Sequence, residues 1–110
     1  MENNLAYLVE DKYPVTKGHC IIIPKRHFAD YFEITQAESN SVQALVLDAK
    51  KEAILKDRSI QGFNLGVNSG VVAGQTILHT HLHLIPRREQ DVQVAIGGIR
   101  NIIPGKGNYL

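Results

Sequence analysis

The sequence predicts an α+β protein in which one long helix covers an antiparallel sheet. Three observations carry that prediction. Short β-type runs come first, a single helical segment follows, and strand-like stretches return after it, with no regular strand–helix alternation. The helical segment has one apolar stripe, which needs a sheet to cover it. The 110 residues, 44% hydrophobic and 21% charged, suit one domain over 1–110 with a core that needs no disulfide or metal staple.

The elements follow in order. Leu5–Glu10 (LAYLVE) reads as a short strand, and Asp11–Gly18 has loop chemistry, punctuated by Pro14 and Gly18. His19–Ile23 is a β-branched run that fits a strand buried on both faces, ended by Pro24. Together they predict a hairpin from residue 5 to residue 24. Residues 35–56 form the helix. Thr35 and Glu38 stand three apart at its start, the spacing of a capping box, and Val42, Leu45, Val46, Ala49 and Ala53 recur at helical spacing. Lys50, Lys51 and Lys56 come late, where cations suit the helix dipole.

Residues 62–67 alternate Phe63, Leu65 and Val67 with Asn64 and Gly66, the pattern of a half-buried strand. Asn68–Gly74 is a loop with two glycines. Thr76–Ile85 is the longest alternating stretch and predicts a strand that Pro86 terminates. Beyond it, Gly97-Gly98 and Pro104-Gly105 mark an irregular tail over 97–110 around a short Ile99–Ile103 strand. That tail is the segment available to cross to a partner subunit, which would bring Tyr109 near the partner's site.

Composition removes several functional classes. Twelve basic against eleven acidic side chains leave a formal charge of +1, so no broad field points to nucleic acid or to a membrane surface. The single cysteine, Cys20, excludes a disulfide framework and a zinc site built on paired cysteines; it reads as a small buried apolar residue. The apolar run 20–24 is far below the ~20 residues a membrane helix needs. Met1-Glu2-Asn3-Asn4 lacks the basic-then-apolar order of a signal peptide, and the expected location is cytoplasmic.

Three of the five histidines fall within five residues, His79-Thr80-His81-Leu82-His83. On a strand, positions i, i+2 and i+4 share a face, which aligns the three imidazoles and sends Leu82 and Leu84 to the other side. A face that needs only packing is better filled by Val, Ile or Thr. Metal binding is the weaker alternative. The outer two histidines would stand about 13 Å apart along a straight strand, too far to converge on one ion, and the strand offers no carboxylate or thiolate to complete the shell. Phosphoryl chemistry uses more of what is present. It needs a nucleophile, donors around the phosphate oxygens and a proton source, and imidazoles supply all three near neutral pH. The central ring, His81, is the natural attacking group; Gln75, Thr76 and Asn68 add amides and a hydroxyl nearby.

The stretch Gly74-Gln75-Thr76-Ile77-Leu78-His79-Thr80-His81-Leu82-His83-Leu84 resembles the signature of the histidine triad (HIT) superfamily. Gly18-His19-Cys20-Ile21-Ile22-Ile23-Pro24-Lys25-Arg26-His27 is similar to its second recurrent block, and Asn68-Ser69-Gly70 also fits; the likeness covers nearly all of 5–88. Thr80 departs from the usual aliphatic at its position, although its β-branching suits a strand. The resemblance implies a five-stranded antiparallel sheet, one long and one short helix, and pairing into a homodimer. It also implies hydrolysis or transfer at the α-phosphate of a small-molecule nucleotide.

Carried over by position, His81 is the nucleophile that becomes nucleotidylated, with a backbone carbonyl fixing its tautomer. His83 and Asn68 hold the α-phosphate oxygens, Thr76 with Gln75 contacts the phosphate and helps the leaving group depart, and His79 orders the site. Asp11 binds the ribose hydroxyls, His19 supports the triad, and the Ile21–Ile23 block, Ile23 included, walls the nucleobase. The histidine chemistry requires no cofactor, and no metal site is implied; magnesium can accompany a polyphosphate substrate.

The segment from Asp11 to His19 and the Leu-Ile-Pro-Arg exit resemble the dinucleoside polyphosphate hydrolase-like branches more than the nucleoside phosphoramidases. A non-catalytic nucleotide-binding protein is the alternative from another class, and the intact His81 speaks against it. Lys25 and Arg26 read as a solvated basic turn. Arg87-Arg88 lie where a leaving phosphate chain would emerge, or are simply solvated.

Overall fold

The computed structural model describes residues 1–110. Thr35 opens the long helix α1 (Gln36–Lys56) as its N-cap. The Thr35 hydroxyl accepts from the Glu38 N–H at 3.1 Å, and the Glu38 carboxylate accepts from the Thr35 N–H at 2.9 Å, so the expected capping box is present. Arg26 reinforces it from outside with a two-pronged pair to both Glu38 oxygens, at 2.9 Å each. That guanidinium holds the Glu38 carboxyl at about 2, well below the ordinary carboxylate range.

Four strands form one antiparallel sheet in the order β1-β2-β4-β3: β1 (Ala6–Glu10), β2 (Cys20–Pro24), β3 (Gly62–Gly66) and β4 (Leu82–Arg87). The expected hairpin is there, with Tyr7 opposite Ile23 and Val9 opposite Ile21. The sheet has four strands where the resemblance implied five; the N-terminal residues add only an isolated bridge between Glu2 and Tyr7. In place of a short α-helix stands a 3-10 turn, Tyr31–Glu33.

One sheet face packs under α1. Ala6, Cys20, Ile22 and Leu84 from the sheet meet Val42, Leu45, Val46 and Ala49 from the helix, as the apolar stripe predicts. β2 is therefore buried on one face rather than both: Cys20, Ile22 and Pro24 are buried, while Ile21 and Ile23 are half-buried on the open face. Burial pushes the Cys20 thiol up to about 11, so it stays a neutral apolar residue.

Three expectations are corrected by tertiary contacts. The strand predicted over Thr76–Ile85 begins only at Leu82, where both ladders run out: β3 ends at Gly66 opposite His83, and the pairing with β2 ends at Ile22 opposite Leu82. The Thr80 N–H instead donates to the Phe28 carbonyl at 2.8 Å. Pro86 lies inside β4 rather than ending it. The pairing of β4 with β2 stops at Leu84, so beyond that point only one flank of β4 requires N–H donors. Ile99–Ile103 is not a strand; Gly98–Ile102 forms a 3-10 turn against β3.

The tail folds back on its own sheet. Gly97 has a left-handed φ of 87°, and a Cβ there would run into the Gly107 carbonyl, so glycine is required where the tail closes. No helix is long and apolar enough to cross a membrane.

Candidate active site

The open sheet face carries the histidines. His83 sits in β4 opposite Ile21 of β2 and Gly66 of β3, and His19 ends the loop leading into β2. His19 is buried, with 4% of its surface exposed, and its Nε2 lies 2.9 Å from His83 Nδ1. Tautomers follow from the partners. His19 Nδ1 accepts from the Val15 N–H at 3.1 Å, so the ring proton is on Nε2 and is donated to His83 Nδ1. His83 then carries its own proton on Nε2, which remains a free donor.

His81 is fixed the other way round. Its Nδ1–H donates to the backbone carbonyl of His79 at 2.9 Å, which leaves Nε2 with its lone pair free. The His81 and His83 rings meet edge to face at 5.0 Å between centroids. An unprotonated nitrogen and an N–H donor thus stand side by side, a suitable pair for attack on phosphorus and for holding its oxygens.

The surroundings of His83 favour its neutral form. Burial lowers its pKa below the ordinary histidine value, the neighbouring His81 and His19 lower it further, and Asp11 opposes them. Asp11 Oδ2 lies 3.4 Å from His19 Nε2 and 3.7 Å from His83 Nδ1, while Oδ1 accepts from the Tyr13 N–H at 2.8 Å.

Asp11, His19 and His83 bring three potential metal-ligand atoms within 4.8 Å of one another, a convergence that the triad spacing alone did not suggest. The hydrogen bonding works against an ion there. A neutral His19 bound through Nε2 would need its proton on Nδ1, facing the Val15 N–H that Nδ1 now accepts.

The remaining expected residues are distributed unevenly. Asn68 lines a cavity of about 450 Å³ together with His19 and His83. Thr76 is exposed in the loop before the triad, and Ile23 is half-buried on β2; neither lines that cavity. Gln75 is turned away from substrate. Its Oε1 accepts from the Gly70 N–H at 2.9 Å, and its Nε2 donates to the carbonyls of Ala29 at 2.8 Å and Ile77 at 3.2 Å. A buried amide with all these bonds ties the 68–78 loop to residue 29 and has no donor left for phosphate.

His79 orders the backbone whose carbonyl fixes His81: its Nε2–H donates to the Pro24 carbonyl at 2.7 Å. The sequence reading missed its partner. His27, exposed after the basic turn, sets its ring edge-on to His79 at 4.8 Å; only the recurrence of a histidine three residues past Pro24 could have signalled it.

The arginines are occupied. Arg87 binds Asp91 and Asn64, and Arg88 binds Asp57, Ser59 and the Lys17 carbonyl, so neither is a free cation for a leaving phosphate. Lys25 pairs with Glu2 at 2.7 Å, and Arg26 serves the helix cap.

A one-helix antiparallel sheet presenting adjacent imidazoles of opposite hydrogen-bonding sense defines a histidine-cluster protein of the α+β class. Comparison with known proteins narrows the class. The family model described as the HIT domain matches residues 1–90, and the chain belongs to the HIT family. It is 36% identical over 99 residues to adenylylsulfatase HINT3 of Arabidopsis thaliana, covering 90% of this chain and 50% of that protein. It is 33% identical over 103 residues to AP-4-A phosphorylase of Mycobacterium tuberculosis, covering 91% of this chain and 52% of that one. Among solved structures, a HIT family protein from Bacillus anthracis superposes with a TM-score of 0.77 at 36% identity, over 83% of this chain and 64% of that chain. The chain thus spans about half the length of these two curated relatives and under two-thirds of the Bacillus chain.

Proposed function

We propose that this protein is a nucleotide hydrolase that works through a covalent nucleotidyl-histidine at His81, with dinucleoside polyphosphates as the favoured substrates. The observation that carries the reading is the His81 Nδ1–H bond to the His79 carbonyl, which leaves the Nε2 lone pair available. His81 Nε2 forms a bond to the α-phosphorus as the bond to the leaving group breaks. The leaving group departs with its electron pair and takes up a proton from solvent. Water then attacks the same phosphorus and gives a proton back to solvent, the phosphorus–nitrogen bond breaks, the electron pair returns to Nε2, and nucleoside monophosphate leaves.

His83 Nε2–H and the Asn68 amide steady the phosphate oxygens in both steps. Asp11 accepts from the ribose hydroxyls, Thr76 attends the leaving group, and His19 and His79 are positioning residues. Gln75 holds the loop and contacts no phosphate in this scheme. The resemblance to AP-4-A phosphorylase supports a polyphosphate-linked substrate, and the resemblance to adenylylsulfatase HINT3 supports attack at an adenylyl phosphorus. Magnesium bound to the polyphosphate chain, rather than to the protein, is compatible with this scheme, and a homodimer is the expected assembly.

The test is a turnover panel of a dinucleoside polyphosphate and adenosine 5′-phosphoramidate, with and without magnesium, on wild type and His81→Ala. The reading predicts nucleoside monophosphate from wild type, faster from the polyphosphate, and none from the variant. Release of none from either substrate by wild type would contradict it.

A further inference from the structure

Residues 24–28 form the segment that faces the first triad histidine, and every side chain in it but one has a task elsewhere. Pro24 and Phe28 are buried, Lys25 pairs with Glu2, and Arg26 reaches both Glu38 oxygens while its guanidinium lies 4.1 Å over the Phe28 ring. The backbone is pinned as well, with the Lys25 N–H donating to the Leu5 carbonyl at 2.8 Å. From this anchored position two carbonyls grip the triad: Pro24 accepts from His79 Nε2–H at 2.7 Å, and Phe28 accepts from the Thr80 N–H at 2.8 Å. The remaining side chain, His27, is exposed and meets the His79 ring at 74°, with 4.8 Å between centroids. That is the favoured edge-to-face arrangement of two flat rings.

We infer that His27 is a positioning residue for the reaction, acting through His79 on the proton of His81. The inference rests on the nucleotide reading above and deepens it. A single hydrogen bond at Nε2 lets a half-buried imidazole pivot about that bond, and a second contact on the ring stops the pivot. When His79 turns, its backbone carbonyl leaves the line of the His81 Nδ1–H, and a bent hydrogen bond weakens steeply. His81 then loses the acceptor that keeps its proton on Nδ1. Part of the population carries the proton on Nε2, the nitrogen that has to attack. The contact is ring against ring, so an aromatic side chain without a titratable nitrogen serves as well as histidine.

The experiment compares wild type, His27→Ala and His27→Phe in turnover of a dinucleoside polyphosphate and in nitrogen NMR of the labelled imidazoles without substrate. His27→Ala should lower kcat about fivefold with KM unchanged, and His27→Phe should restore it to within about twofold of wild type. In His27→Ala the Nδ1 and Nε2 shifts of His81 should move toward one another, as two mixed tautomers require, while those of His19 and His83 stay in place. A folded His27→Ala with unchanged kcat and unchanged His81 shifts overturns the inference. So does a loss in His27→Phe equal to that in His27→Ala, which would assign the effect to the nitrogen and not to the packed ring. Wild type that turns over no polyphosphate would instead sink the nucleotide reading, and the nitrogen shifts alone then decide whether His27 sets the His81 proton.

Discussion

His19 Nε2 donates to His83 Nδ1 across 2.9 Å, joining residues 64 positions apart and fixing the proton of His83 on its outer nitrogen. The bond works only while His83 Nδ1 is unprotonated, which agrees with the direction in which burial, His81 and His19 shift that ring.

That shift has a pH consequence. An unfolded histidine takes up a proton near pH ~6.5, whereas His83 in the folded protein does so at lower pH. Between those two values the unfolded chain binds more protons, so stability from this group rises with pH and is lost as pH falls below the ordinary histidine value. Ring-proton NMR should show His83 titrating below the ordinary value, and His83→Asn should flatten the fall in stability between about pH 7 and pH 5. Titration above the ordinary value would contradict the assigned proton positions.

His83→Ala should remove one donor from the phosphate while leaving the His81 nucleophile in place. The expected loss is about 3 kcal/mol of transition-state stabilisation, on the order of 10²-fold in kcat. Single-turnover kinetics at saturating substrate measure it; an unchanged rate would place His83 outside the chemistry.

Gln75→Glu should destabilise the protein by about 1–3 kcal/mol. A carboxylate oxygen would replace the Nε2 that now donates to the Ala29 and Ile77 carbonyls, setting acceptor against acceptor. Urea denaturation measures the loss. A variant of full stability with weakened nucleotide binding would return Gln75 to the substrate.

Thr80 is wholly buried and its hydroxyl has no partner. Thr80→Val keeps the shape and removes the orphaned group, so stability should rise by about 1 kcal/mol with turnover retained. Thermal denaturation showing a loss instead would mean that the hydroxyl is satisfied in solution.

Legibility in the sequence followed contact range. The Thr35–Glu38 box and the helix stripe were readable because their partners lie within a few residues. The grouping of His81 and His83 was readable from alternation, although only His83 lies in a strand. What was not readable depends on distant partners: the Gln75 bond to Ala29 spans 46 positions, and the late start of β4 depends on where its pairing with β2 and β3 ends. Arg88 looked available for phosphate because Asp57, 31 positions away, becomes its partner only once the chain folds, and the same holds for Arg87 and Asn64, 23 positions away; the Arg87–Asp91 pair, four residues apart, was within reach of the sequence.

The most direct measurement is a search for the covalent intermediate. Wild type mixed with a dinucleoside polyphosphate, quenched in alkali within one turnover and digested, should yield a peptide carrying a nucleoside monophosphate on Nε2 of His81, absent from His81→Ala. Turnover with that nitrogen unmodified throughout, or the adduct on another histidine, would contradict the account.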